Sequence, residues 1–526
     1  KKERKLILMF KSSFIVMIIN MLSRILGLIR EMIIGSVFGA TGMTDAYVSA
    51  TKIPNFFTTL FGEGSLGTVF IPIYNRGMAE EGKERTDDFV FSLLNLIVAF
   101  TSTLSVIMIF FSKQILKVTT GFNDPKRFDA ANNLLKIVAF YFLFIALSGV
   151  VSSLLNNYKK FAVSASMGIV FNLTIIVGTL MLKNKMGIYG LGVAYLLSGV
   201  FQLVIMLPQF FQIMKKYKFI LNLKDEYVKE MFVLMVPTLV GIFGYQINEI
   251  VDNRFATSLP AGTASALNYA SRLYLLPIGV FAISLAVVIF PTLSKAVVKN
   301  DNRTVRRVVH QGLYMLSFLI VPSSVILFGY AKEIVRLVYE RGKFNAAAVK
   351  VTSETLQFYA LGLLFFSTIH LLTRSHYVYK DRKTPVISSF TAIFINIVLD
   401  SLLYKQYRHV GLTFATSFSA MVNFIILYIS LNKKYVKLRN LKYIAILGVT
   451  FVTSMISYWG SSVIKFQNKY GIVVNLTIFA IIYLIIWFAL IFTFRKDLIR
   501  KVLKRRNVLP HGVAPRVILP ARTAAI

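Results

Sequence analysis

The feature that most constrains this chain is a succession of apolar runs, each 18 or more residues long, that recurs along almost its whole length with short basic loops between. Each run is long enough to cross ~30 Å of hydrocarbon as a helix. Fourteen spans are expected, at 11–38, 45–76, 89–112, 131–156, 162–182, 189–213, 227–257, 264–295, 306–329, 346–376, 385–404, 410–431, 441–464 and 471–494. Charged residues are only 16% of the 526, too few to coat a soluble protein of this size. A β-barrel would instead show ~10-residue segments of alternating polarity, and the chain has none of that pattern. The expected fold is an all-α polytopic membrane protein with 14 transmembrane helices.

The formal charge of +36 invites a nucleic-acid reading, but the basic residues sit in short loops between spans, where they orient a membrane protein. Lysine and arginine on the N-terminal side of the membrane outnumber those on the other side by more than two to one. An even number of spans then puts both termini of this multi-pass protein in the cytoplasm. Cysteine is absent, which excludes a disulfide framework and a thiolate metal site. The first span carries arginines and lacks the short pure apolar core of a cleavable signal, so no signal peptide is expected.

The sequence repeats itself. Ser65-Leu-Gly-Thr-Val-Phe-Ile-Pro72 through Arg76 matches Ser284-Leu-Ala-Val-Val-Ile-Phe-Pro291 through Lys295 at an offset of 219, and Lys113 to Lys117 falls on Lys332 to Arg336 at the same offset. Phe140-Tyr141 and Phe358-Tyr359 follow at 218, and Gly190-Leu191 and Gly411-Leu412 at 221. Spans 1–6 (residues 1–221) and 7–12 (222–437) are therefore expected to be two pseudo-symmetric six-helix lobes related by an axis along the membrane normal, with a substrate between them. Spans 13 and 14 (within 438–506) stand outside the repeat. The tail 507–526, with Pro510, Pro515 and Pro520, is expected to be disordered or an appended remnant.

Charges inside the spans are the functional signal, because each costs ~3 kcal/mol or more at the bilayer centre unless it faces a partner or a wet cavity. On span 1, Ser13, Asn20, Arg24, Gly27 and Glu31 form one stripe with Arg30 beside it, and on span 7 Gly241, Tyr245, Asn248 and Asp252 do the same, flanked by Glu249 and Arg254. Spans 2 and 8 contribute Lys52 and Arg272 at an offset of 220. Arg24, Arg30, Lys52, Arg254 and Arg272 outnumber the nearby acids Asp45, Glu63, Glu249 and Asp252. Guanidinium groups grip phosphate oxygens in a bidentate fork, so the implied ligand is a phosphate or diphosphate. Pro54, Gly62, Gly64, Gly67 and Pro72 punctuate span 2 and suggest a hinge beside Glu63. A second constellation, Asn396 and Asp400 one turn apart on span 11 with Thr416 on span 12 and Asp252 on span 7, offers oxygen ligands to a hard monovalent cation or a proton.

No Gly-x-x-x-x-Gly-Lys-Ser/Thr loop is present, the five histidines have no zinc spacing, and no nucleophile, base and orienter set is visible. The chain is read as a transporter, with no enzymatic activity and no nucleic-acid partner expected.

Ser23-Arg24-Ile-Leu-Gly-Leu-Ile-Arg30-Glu31, Phe38-Gly39-Ala40, Thr44-Asp45-Ala-Tyr47, Lys52-Ile-Pro54-Asn55, Gly62-Glu63-Gly64, Phe70-Ile-Pro72 and Tyr269-Ala-Ser-Arg272-Leu-Tyr-Leu-Leu-Pro277 resemble the MurJ/MviN family of lipid II flippases, within the multidrug/oligosaccharidyl-lipid/polysaccharide exporter superfamily. The resemblance implies alternating access that carries undecaprenyl-diphosphate-linked peptidoglycan precursor, lipid II, from the inner to the outer leaflet, driven by membrane potential or a cation gradient. It implies Arg24, Arg30, Asp45, Lys52 and Arg272 as cavity residues, to which the charges on the spans add Arg254, and Glu63 as a gate. It further implies Asp252, Asn396, Asp400 and Thr416 as a sodium site, and spans 13 and 14 as a lipid-tail groove. Membrane lipids and cell-wall synthesis proteins are the implied partners of a monomer. Thr58 or Thr59, and Ser271, depart from the family pattern of an arginine and an acid. The alternatives are an exporter of another polyprenyl-diphosphate oligosaccharide, a cation-coupled drug exporter, or, from another class, a membrane glycosyltransferase.

Overall fold

Hydrocarbon offers no partner to a backbone N–H or C=O, so a chain this apolar must bond its backbone within each segment, and helices do so. The computed structural model describes residues 2–61, 65–438, 440–463 and 470–494, with side chains described in these ranges except at 2–13, 60–61, 65, 236–245 and 491–494. Glu63, the hinge expected beside it and the tail 507–526 lie outside the described residues.

The first half runs α1 (Lys2–Phe38), α2 (Gly42–Phe61), α3 (Ser65–Glu80), α4 (Gly82–Phe110), α5 (Ser112–Thr119), α6 (Pro125–Val138), α7 (Tyr141–Asn157), α8 (Phe161–Met186), α9 (Ile188–Val204) and α10 (Leu207–Met214). The second half runs α11 (Glu226–Ser258), α12 (Thr263–Pro277), a π-helical turn Ile278–Ala282, α13 (Ile283–Val298), α14 (Asn302–Gly329), α15 (Ala331–Tyr339), α16 (Ala346–Val378) and α17 (Lys383–Lys434). Last come α18 (Asn440–Ser462) and α19 (Gly471–Phe494). Among the described residues, ten stretches are long and apolar enough to cross a membrane. α1, α2 with α3, and α11 carry the other expected spans, and α17 is two antiparallel helices joined at Arg408, whose torsions are not helical. Within the described residues, every expected span thus falls on helix.

The repeat is written into the backbone as well as the sequence. Short amphipathic helices α5 and α15, which apolar run length alone does not reveal, occupy the same place in each half, between α4 and α6 and between α14 and α16. Asp124 caps α6 by accepting from the Lys126 amide, and Asn345 caps α16 by accepting from the Ala348 amide, 221 residues on. Left-handed residues also pair at that spacing: Lys159 (φ 62°) with Lys380 (φ 59°), and Gly187 (φ 55°, ψ −132°) with Arg408 (φ 51°, ψ −133°).

The chain separates into two compact units, Lys1–Thr450 and Phe451–Ile526. Within the first, α11 packs along α17 but also against α2 and α3, so the opening helix of the second half touches the first half over much of its length. The halves meet at both ends of the bundle. At the end carrying Phe38, the Lys343 amide donates to Ser36 O at 2.8 Å. At the end carrying Glu80, Arg85 Nη1 lies 2.6 Å from Asp225 Oδ2, and Arg76 pairs with Glu230.

The torsions at Arg408 belong to a region that side chains occupy at a cost of ~1–3 kcal/mol, and the matching position in the first half is glycine. Arg408→Gly is therefore expected to raise thermal stability by roughly 1 kcal/mol, read as a higher melting temperature in detergent, and Gly187→Arg to lower it.

Candidate functional site

Charged side chains on membrane helices must converge away from lipid, and in the Lys1–Thr450 unit they converge on one cavity of about 1600 Å³. Its wall draws on both halves: Ser23, Arg24, Gly27, Arg30 and Glu31 from α1, Tyr47, Lys52, Asn55, Thr58 and Thr59 from α2, Asn248, Glu249 and Asp252 from α11, and Arg272 from α12. Arg24, Gly27 and Glu31 of the first polar stripe and Asn248 and Asp252 of the second therefore line the same space. Four cations meet three acids on the wall, and Asp252 belongs to a separate cluster described below.

Arg30 and Arg272, from opposite halves, share one carboxylate. Arg30 Nη2 lies 2.5 Å from Glu31 Oε1, and Arg272 Nε approaches the same oxygen at 3.6 Å. Arg30 is fixed further by donating to Asn172 Oδ1 at 3.0 Å and by lying 5.0 Å from the centre of the Phe171 ring. Arg272 has only the longer contact, and its side chain is 46% exposed to the cavity. Lys52 pairs with Glu249 across the halves at 3.2 Å. Arg24 joins none of these pairs; its guanidinium lies over Gly279 in the π-helical turn, where an added Cβ would collide with Nη1. π-turns of this kind often mark functional positions in membrane and soluble helices.

Two residues expected on the cavity wall are elsewhere. Asp45 is fully buried at the start of α2, where it accepts from the Gly262 amide at 2.6 Å, the Ser265 amide at 2.7 Å, Ser265 Oγ at 2.8 Å and Arg127 Nη2 at 3.0 Å. It lies on the same face as Lys52 but seven residues, or ~10 Å, nearer the helix end, past the cavity, where it caps the start of α12 from the other half. Arg254 donates to the carbonyls of Lys117 and Val118 at 2.8 and 2.5 Å, closing the end of α5. Its place two residues beyond Asp252 turns it ~200° away from the cavity. Conversely, sequence pattern does not single out Arg127, which reads as one more loop cation, or Asn172, a lone amide in an apolar span.

The second constellation does assemble. Asp252, Asn396 and Thr416 reach the cavity wall, and Asp400 lies behind them against Asp252, fully buried, with no donor among the described residues reaching either of its carboxylate oxygens. Asn248 Nδ2 donates to Asp252 Oδ2 at 3.2 Å. One atom of the Asn396 amide lies 2.8 Å from Asn248 Oδ1 and 3.2 Å from Asp252 Oδ1. As a nitrogen, the assignment its surroundings favour, it donates to both, and the other atom of the amide, as oxygen, accepts from the Thr416 amide at 3.3 Å. A buried carboxylate without donors is costly, so this donor set fits a hard cation.

Removing the Asp45 carboxylate strands a buried guanidinium and two amides. Asp45→Ala is expected to speed hydrogen exchange at the Gly262 and Ser265 amides by roughly 100-fold, the loss of ~3 kcal/mol expected for breaking a buried pair. Unchanged protection would show that the link does not hold the halves together.

The family model described as Lipid II flippase MurJ matches residues 34–481. The "Probable lipid II flippase MurJ" of Vibrio cholerae is 31% identical over 433 residues, covering 80% of this chain and 82% of its own length. The "Lipid II flippase MurJ" of Burkholderia cenocepacia is 28% identical over 438 residues, covering 81% and 84%. A solved structure, "Lipid II flippase MurJ, inward closed conformation", superposes with a TM-score of 0.79 at 29% identity over 92% of this chain and all of that one. An inward-facing multidrug resistance MATE family transporter of the MOP superfamily gives 0.66 at 13% identity, covering 80% and 99%, a likeness of fold alone.

Proposed function

The chain belongs to the lipid II flippase MurJ family, and on that premise we propose that it carries lipid II, a polyprenyl-diphosphate glycolipid, from the inner to the outer leaflet of a bacterial cytoplasmic membrane by alternating access. The observation that carries this reading is the cavity between two halves with Arg24, Arg30, Lys52 and Arg272 against Glu31 and Glu249, an anion site where lipid tolerates no charge.

In this reading the diphosphate enters beside Arg24, whose guanidinium pairs with no carboxylate among the described residues, and then draws Arg272 from Glu31. Both cations offer flat forks of donors to phosphate oxygens, and Arg30 stays anchored by Asn172 and Phe171. Thr58 and Thr59 donate back to the carbonyls of Pro54 and Asn55, so this part of the wall contributes no further cation. Losing Arg272 to the substrate loosens one connection between the halves, and the Asp45 link is the next to break when the Phe38 end opens. With both termini in the cytoplasm, as the loop charges indicate, that end faces outward, and the arrangement described is the one closed to the outside.

Asp252, Asn396, Asp400 and Thr416 would hold a sodium ion, whose single charge would offset one of the two neighbouring carboxylates. Membrane potential, worth ~2.3 kcal/mol per charge per 100 mV, adds a bias of its own. Spans 13 and 14 are read as a groove for the polyprenyl tail, and the protein as a monomer.

Arg24→Glu places a carboxylate where the diphosphate must sit. It is expected to reduce lipid II translocation in reconstituted vesicles to background while leaving the protein monodisperse. Transport at the unmodified rate would sink the assignment of the cavity.

A further inference from the structure

The cluster of Asp252, Asn396, Asp400 and Thr416 opens on one side to the central cavity, and the structure shows what stands on its other side. On each of three helix segments an apolar or aromatic residue sits one turn nearer the Phe38 end than a member of the cluster: Ala256 above Asp252, Tyr404 above Asp400 and Leu412 above Thr416. Four-residue spacing stacks such residues along one face, so the polar layer carries an apolar layer on top. Ala256 and Leu412 are each 2% exposed and join Leu259, Ala264 and Leu267 in a hydrophobic cluster separate from the main core. Phe255 and Tyr404 pack against that cluster, with ring centroids 4.9 Å apart. Lys405 Nζ lies 5.9 Å from the centre of the Tyr404 ring on the far side of this layer from Asp400 in sequence, at the turn where α17 reverses.

We propose that Phe255 and Tyr404, backed by Ala256, Leu259 and Leu412, are the closed outer gate of the cation site, so that in this arrangement of the halves an ion reaches Asp252 and Asp400 only through the central cavity. The proposal rests on reading the four-residue cluster as a site for a transported cation, and it deepens that reading by giving the ion a route. An apolar layer one turn thick is a barrier because an ion crossing it must shed its water without oxygen ligands to replace it. Substrate headgroup and cation then share a single compartment. Their exchange with bulk water is governed by the same movement of the halves, with no separate ion pathway required. The paired aromatic rings are the part of the layer able to swing, since Phe255 and Tyr404 lie near the ends of α11 and the first segment of α17, where few turns hold them.

The experiment uses the full chain in proteoliposomes without lipid II and reads radioactive sodium uptake. The Phe255→Ala/Tyr404→Ala variant is expected to leak sodium at least 10-fold faster than the unmodified protein, and adding Asp400→Asn should return uptake to the unmodified level. A leak that persists with Asp400→Asn marks a nonspecific hole and overturns the gate, as does a well-folded double variant with no leak. Sodium-dependent stabilisation in detergent separates the two layers of the argument. If sodium raises the melting temperature of the unmodified protein but not of Asp400→Asn, the site stands whatever becomes of the gate; if it raises neither, the site itself falls. Should the double variant fail to fold, the natural absence of cysteine provides a second measurement. Thr416→Cys is then labelled by an impermeant thiol reagent added on the side away from the termini, with and without Tyr404→Ala: labelling at least 10-fold faster with Tyr404→Ala is expected, and an unchanged rate overturns the proposal.

Discussion

A charge in hydrocarbon has nowhere to go but inward, and the arrangement of the Lys1–Thr450 unit follows from that constraint. Helices satisfy their own backbones, so nothing in an apolar span demands a particular neighbour until a guanidinium or carboxylate must find one. Arg24, Arg30 and Glu31 on α1, Lys52 on α2, Glu249 and Asp252 on α11 and Arg272 on α12 all turn to the same space. Asp45 and Arg254 instead join the halves near the Phe38 end, and Asp400 lies buried behind the wall against Asp252.

The helices were almost entirely legible in the sequence because membrane length and apolarity leave little choice. The repeat was legible too, since Pro72 and Pro291 and the basic segments Lys113–Lys117 and Lys332–Arg336 keep their spacing. The backbone then added evidence the alphabet hides: Gly187 and Arg408 share one unusual turn although their side chains have nothing in common. The short helices α5 and α15 escaped because eight or nine residues are too few to register as a span.

The site was legible in its parts and misread in its geography. Helical periodicity located Arg24, Arg30, Lys52, Arg272, Asp252, Asn396 and Thr416 on inward faces, because a single helix fixes direction around its axis. It says nothing of depth relative to other helices, and depth is what separates Asp45 from Lys52. Arg254 was a matter of angle, two residues from Asp252 and hence on the opposite side. Arg127 carried no signal at all, since its importance arises only when the start of α6 meets the start of α2. The family likeness pointed to the right relatives from the phrases on spans 1, 2 and 8.

Glu31 has a consequence for how tightly any anion can be held. Tethered between Arg30 and Arg272, it is present at the site at an effective concentration set by the fold and by nothing in solution. Every incoming anion competes against this resident rival, so the cavity gives up part of its attraction before binding begins. For a carrier that is an advantage. A site that bound its cargo with its full charge would capture well and release slowly, whereas one that reclaims its own counter-ion when the cargo leaves helps push it out.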